Sequence, residues 1–100
     1  MTSFDQREHA FEAAYQHNQE MQFKARARRN KLLGLWAAER LGLYGAEAEA
    51  YARTVVMTDF AQAGDDDVFR KIRDDFNVKS VAVTDQQIRG AMSEIGRAHV

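Results

Sequence analysis

At 100 residues, with 45% hydrophobic and 29% charged residues, the chain has the balance of one globular domain and not of a disordered segment. Its 14 basic and 15 acidic residues leave a formal net charge of -1, spread over both halves, which excludes a nucleic-acid coat or a surface binder of anionic membranes driven by bulk charge. Cysteine is absent, so disulfides, thiolate nucleophiles and the common zinc frameworks are excluded.

Proline is absent as well, so nothing of that kind interrupts a helix. No apolar run approaches the ~18 residues of a bilayer span. The N-terminus has no basic stretch followed by an apolar one, so no secretory signal is expected and the expected location is the cytoplasm.

The first helical signal opens at Ser3, which stands three residues before Gln6 as in a capping box. Nothing forces a stop before Leu41. A break is expected near His17-Asn18-Gln19, where helix propensity falls. The bulky apolar residues ahead of that point are Phe4, Phe11 and Tyr15, on one helix face among Asp5, Arg7, Glu8 and Glu12. Residues 32–41 are apolar almost all round and read as a central buried helix, with Trp36 in its core. Met21, Ala25, Leu32 and Trp36 share one stripe of it; Phe23, Ala37 and Leu41 share another.

Gly42 is placed to end this helix. A second helix is expected from Ala46 to about Ala63, with Ala48, Tyr51, Ala52, Val55 and Val56 as its apolar stripe. Asp65-Asp66-Asp67 reads as the cap of a third, whose core residues Phe69, Ile72 and Phe76 follow and whose stop is Asn77 in a left-handed conformation. Val78 to Val83 reads as a loop that tucks its valines under the body. Thr84 and Gln87 repeat the capping-box spacing, and Ile88, Met92 and Ile95 complete a fourth helix. Four helical units with short connections predict an all-α fold, an antiparallel four-helix bundle with an extended or mobile N-terminal arm. The arm is residues 1–19 and the bundle residues 20–100.

Catalytic chemistry finds little support. The three serines, Ser3, Ser80 and Ser93, sit in no nucleophile elbow, and no phosphate loop occurs. No enzyme is expected. Asp5, His9 and Glu12 share a helix face, but without supporting groups around them they read as a solvated face, so no metal site is assigned. The aspartate triplet lacks the glycine and distal glutamate of a calcium loop. The basic run Lys24, Arg26, Arg28, Arg29 and Lys31 carries more information. Lys24, Arg28 and Lys31 fall on one helix face and are candidates for a nucleotide or phosphate contact, with weak ATP or ADP binding left open. The plainer reading is a solvated face whose charges pair with acids of the 65–75 helix. For Phe4, Phe11 and Tyr15 two readings stay open: a helix lying loosely on the bundle, or an arm that docks in a partner's groove.

The block Arg28-Arg29-Asn30-Lys31-Leu32-Leu33-Gly34-Leu35-Trp36-Ala37-Ala38-Glu39 resembles the signature of the zeta subunit, the ATPase inhibitor family of alphaproteobacterial F-type ATP synthases. The likeness continues through Gly45 to Ala52, Val68 to Ile72 and Val83-Thr84-Asp85. At the start, Phe4-Asp5-Gln6-Arg7-Glu8 and Ala10-Phe11-Glu12 look like the family's inhibitory N-terminus. The resemblance implies a four-helix protein without cofactor, monomeric when free. Its partners would be the catalytic and rotor subunits of the synthase, through which it would associate peripherally with the inner membrane. It implies that Phe4, Asp5, Arg7, Glu8, Phe11, Glu12 and Tyr15 enter the catalytic interface beside the rotor and block hydrolysis. Neither nucleic acid nor direct membrane insertion is implied.

Overall fold

Four helices account for nearly all of the described residues. The structure is a computed structural model that describes the backbone of residues 2–61 and 64–98 and the side chains of residues 18–61 and 64–97. Helix α1 spans Thr2–Arg40, α2 Ala46–Ala61, α3 Asp65–Val78 and α4 Asp85–Ala98. No strand occurs among the described residues.

Helix α1 runs through positions 17–19 without the expected break. The reason is one of magnitude. Less favourable residues cost a few tenths of a kcal/mol each, whereas a break gives up ladder hydrogen bonds on both sides of it. At ~1.5 Å per residue, 39 residues make a rod of about 58 Å. That rod sets the longest dimension of the molecule, 65 Å against 28 and 23 Å across.

Two helix ends use the same device. Gly42, at φ 79°, donates its N–H to Glu39 O, and Leu43 N–H reaches back to Ala38 O, as the sequence leads one to expect for Gly42. At the end of α3 the left-handed residue is Ser80, at φ 56°, and not Asn77. Ser80 N–H bonds Asn77 O and Val81 N–H bonds Phe76 O, so the helix continues past Asn77 to Val78 before it closes. What decides this is Val81, which reaches the core only if the chain turns there. Val78 accordingly stays 82% exposed, against expectation, while Val81 and Val83 pack on the core.

The start of α3 also differs from its reading. Gly64 occupies the cap position and no side chain caps the helix. The three aspartates lie in the first turn, where the dipole favours them, but their side chains bind arginines: Asp65 to Arg29, Asp66 to Arg89 and Asp67 to Arg70. Helix α4 begins as expected. Thr84 N–H donates to Gln87 Oε1 at 2.9 Å, and Gln87 N–H to Thr84 Oγ1 at 3.1 Å. The expected Ser3–Gln6 box involves side chains outside the described residues, and Ala63, the expected end of α2, also lies outside them.

The core is Leu33, Ala37, Val55, Val68, Ile72, Phe76, Ile88 and Met92. Helix α1 packs on α2 and α4, and α3 packs on the same two. Trp36 is half-buried and not enclosed. Its ring meets Phe76 edge-on at 6.0 Å, and the Arg40 guanidinium lies 4.2 Å over it. Met21 and Phe23 are about half exposed, so the stripe above Leu32 does not belong to the core.

Gly34 fixes how closely α1 approaches α2. A Cβ there would lie 2.6 Å from Ala52 Cα. Gly34→Ala is expected to destabilise the fold by about 1–3 kcal/mol, as overpacking does, despite the better helix propensity of alanine. Urea unfolding checks this; a midpoint at or above the parent value would mean that the two helices part freely.

A polar cluster joins α2 to α3. Tyr51 Oη donates to Asp75 Oδ2 at 2.8 Å, and Lys71 Nζ binds the same oxygen at 2.9 Å. Burial, and then the Asp75 carboxylate, raise the phenol well above its ordinary range. A raised folded pKa gives stability that is complete below the unfolded value, about 10, and is lost as pH rises beyond it. The parent should therefore lose stability above that pH, and Tyr51→Phe should flatten the loss. Identical alkaline melting curves for the two would contradict this.

Candidate functional site

The residues named for the inhibitory segment, Phe4, Asp5, Arg7, Glu8, Phe11, Glu12 and Tyr15, all lie in α1 by their backbone. Their side chains are outside the described residues, and so are those of Asp5, His9 and Glu12 as a ligand set. Among the described residues no group of three or more His, Asp or Glu is placed to hold a metal ion.

The basic run is split by the helix. Lys24, Arg28 and Lys31 are exposed together, as their spacing requires. Lys31 lies 3.6 Å from Glu49, with both groups about half exposed. Lys24 and Arg28 have no ion-pair partner among the described residues. Arg26 and Arg29 reach acids of neighbouring helices instead, Arg26 while staying exposed. Arg26 Nη2 binds Asp59 Oδ1 at 2.7 Å and Arg29 Nη2 binds Asp65 Oδ1 at 2.7 Å. The expected pairing with the 65–75 helix thus holds for Arg29 alone; Arg26 and Lys31 pair with α2. Charge reversal of Lys24 and Lys31 together is expected to change stability by less than about 1 kcal/mol, since exposed pairs contribute little. Thermal melting checks it, and a larger loss would reveal contacts that this face does not display.

Beside these two arginines lies Asn30, fully buried. Its Oδ1 accepts from Arg29 Nε and Nη2, at 3.1 and 2.8 Å, and its Nδ2 donates to Asp59 Oδ2 at 2.9 Å. Asp59 Oδ1 also accepts the backbone N–H of Gly64. Every polar atom of Asn30 is thereby satisfied, as burial demands. Sequence reading missed this cluster. Asn30 sits in a basic run, and only the approach of two distant aspartates makes it a core residue. The hydrogen bond from Arg29 holds the Asp65 carboxyl below the usual carboxylate range. Its small contribution is complete above the ordinary carboxylate pKa and is lost as pH falls through the lowered value.

Two clefts flank the cluster. One, of about 350 Å³, opens where α1 leaves the body and is lined by Gln19, Phe23, Asn30, Asp59 and Phe60. Phe23 and Phe60 meet edge-on at 4.9 Å, 48% and 60% exposed. The other, of about 820 Å³, collects Arg26, Arg29, Arg89 and Arg97 with Asp65 between α1 and α4. Three of these arginines already have carboxylate partners, Arg89 binding Asp66 at 3.0 Å and lying over the Phe69 ring. The cleft is basic but largely neutralised in place.

No curated protein matches the chain. A solved chain determined by solution NMR is 47% identical to it, with a TM-score of 0.70, covering 79% of this chain and 89% of its own length. The profile of the family described as ATPase inhibitor subunit zeta matches residues 1–99. With that match running through the whole of α1 and the body beneath it, the chain belongs to the zeta family of ATPase inhibitor subunits.

Proposed function

We propose that the protein inhibits ATP hydrolysis by the F-type ATP synthase, with residues 1–19 as an arm that enters the interface between catalytic subunits beside the rotor. Residues 20–100 form an antiparallel four-helix body that stays outside and is too bulky to follow. The observation that carries this reading is the single 39-residue helix α1, whose described side chains are exposed from residue 18 to residue 26 and buried at Leu33, Ala37 and Ala38. The antiparallel arrangement is supported by pairs that run in opposite order along α1 and α2: Phe23 with Phe60, Asn30 with Asp59, Gly34 with Ala52. In the groove, burial of Phe4, Phe11 and Tyr15 offsets the ordering of the arm, and Asp5, Arg7, Glu8 and Glu12 set its orientation. The protein is a monomeric regulator without catalysis of its own, held at the inner membrane through the synthase. No helix among the described residues is long and apolar enough to cross a membrane. The test is titration of the isolated catalytic head. ATPase turnover should fall to a low plateau at saturation, and unchanged turnover would end the proposal.

A weak ATP or ADP contact is the second reading. The arginine cleft, where four guanidinium groups converge, supports it beside the exposed Lys24, Arg28 and Lys31. Titration with ATP, read by amide shifts, separates the two surfaces; shifts at neither would leave the protein without a nucleotide role.

A further inference from the structure

The burial of α1 ends abruptly toward the N-terminus. Leu33, Gly34, Ala37 and Ala38 are buried, whereas from residue 18 to residue 28 every side chain is exposed except the half-buried Ala27. Asn30 stands between these regions, and its burial depends on Asp59. One carboxylate of α2, only 10% exposed, thus receives Arg26 and Asn30 from successive turns of α1 and the backbone N–H of Gly64 from the chain ahead of α3. Apolar grip on this part of α1 is slight, since Phe23 and Phe60 touch at an exposed edge. The polar cluster therefore holds the last turns of α1 before the helix leaves the body.

We propose that Asp59 is a positioning residue for the inhibitory arm: through Arg26 and Asn30 it fixes residues 19–30 on the body, so that the arm leaves in one direction. This rests on the arm reading given above. A direction fixed before binding lowers the entropy lost when the arm docks. Without Asp59 the amide of Asn30 loses its buried acceptor and Arg26 turns to solvent, and ahead of Leu33 α1 keeps only the Arg29–Asp65 and Lys31–Glu49 pairs and the exposed Phe23–Phe60 edge.

The experiment uses the full chain carrying Asp59→Ala, with Asp59→Asn as the shape-conserving variant. Amide hydrogen exchange and titration of the isolated catalytic head are measured together. For Asp59→Ala, exchange at residues 20–29 should quicken at least tenfold while that of residues 72–76 in α3 stays within twofold. The concentration for half-inhibition should rise at least tenfold, and Asp59→Asn should recover part of both. A purely structural role would instead quicken exchange throughout the body. Unchanged exchange at residues 20–29 overturns the proposal. So does inhibition at the parent concentration despite quickened exchange. Should Asp59→Ala fail to fold, Arg26→Gln decides: its side chain is 47% exposed, so the fold survives, and a rise of about threefold in half-inhibition is expected. No rise there overturns the proposal. If the parent chain itself does not inhibit, the arm reading fails, while the exchange result still reports whether Asp59 holds the helix.

Discussion

Removal of residues 1–17 is expected to abolish inhibition of ATP hydrolysis and to leave a body that still melts cooperatively. The two halves of that outcome have separate causes. Among the described residues the buried core is drawn from residues 33–92. The ion pairs that fasten α1 to α2 and α3 begin at Arg26. Nothing in that set is touched by the deletion. The proposed contacts with the catalytic interface, in contrast, are lost completely. Alanine at Phe4, Phe11 and Tyr15 together should act like the deletion, since alanine preserves helix propensity and removes the aromatic anchors that dominate such interfaces. Circular-dichroism melting and ATPase turnover, measured on the same sample, check both halves. Full inhibition by the shortened chain would move the active surface onto the body. Loss of folding would make the first half of α1 a member of the core.

The largest loss of stability is expected for Phe76→Ala, about 3–5 kcal/mol. Phe76 is fully buried at the centre of the core, with Trp36 edge-on against it, and its carbonyl closes the turn at the end of α3. Truncation opens a cavity lined by three helices that cannot all collapse into it. In a domain whose total stability is roughly 5–15 kcal/mol, this loss leaves a chain near its unfolding threshold at ordinary temperature. Val78→Ala, two residues away but 82% exposed, should stay within about 0.5 kcal/mol. Chemical denaturation of the pair checks the contrast. Equal midpoints would mean that the core is not organised around Phe76.

Local patterns in the sequence carried most of the secondary structure. Gly42 as a helix stop, the Thr84–Gln87 box and the burial of Ile72, Phe76, Ile88 and Met92 all follow from spacing within a few residues. What spacing could not deliver were outcomes decided by distant neighbours. Ser80 takes the left-handed position because Val81 has a core to reach. Trp36 is half-buried, with Phe76 on one side of its ring and the exposed Arg40 over it. The basic run divides according to where Asp59 and Asp65 arrive, and those arrive from helices 29 to 36 residues away. The candidate inhibitory residues were legible only through likeness to a family. Composition and periodicity leave Phe4, Phe11 and Tyr15 as an aromatic face without an occupant.

The length of α1 has a consequence for surface area. A monomer of this mass folded to ordinary compactness exposes about 5,800 Å². This chain exposes 7260 Å². The excess, roughly 1,500 Å², is larger than the ~800 Å² that one partner contributes to a standard-size protein interface. The free chain therefore exposes more surface than a compact monomer of its mass, and a partner that covered α1 would bring it nearer to the ordinary ratio. Its melting temperature should accordingly rise with the concentration of whatever covers α1, by mass action and with no change in the body.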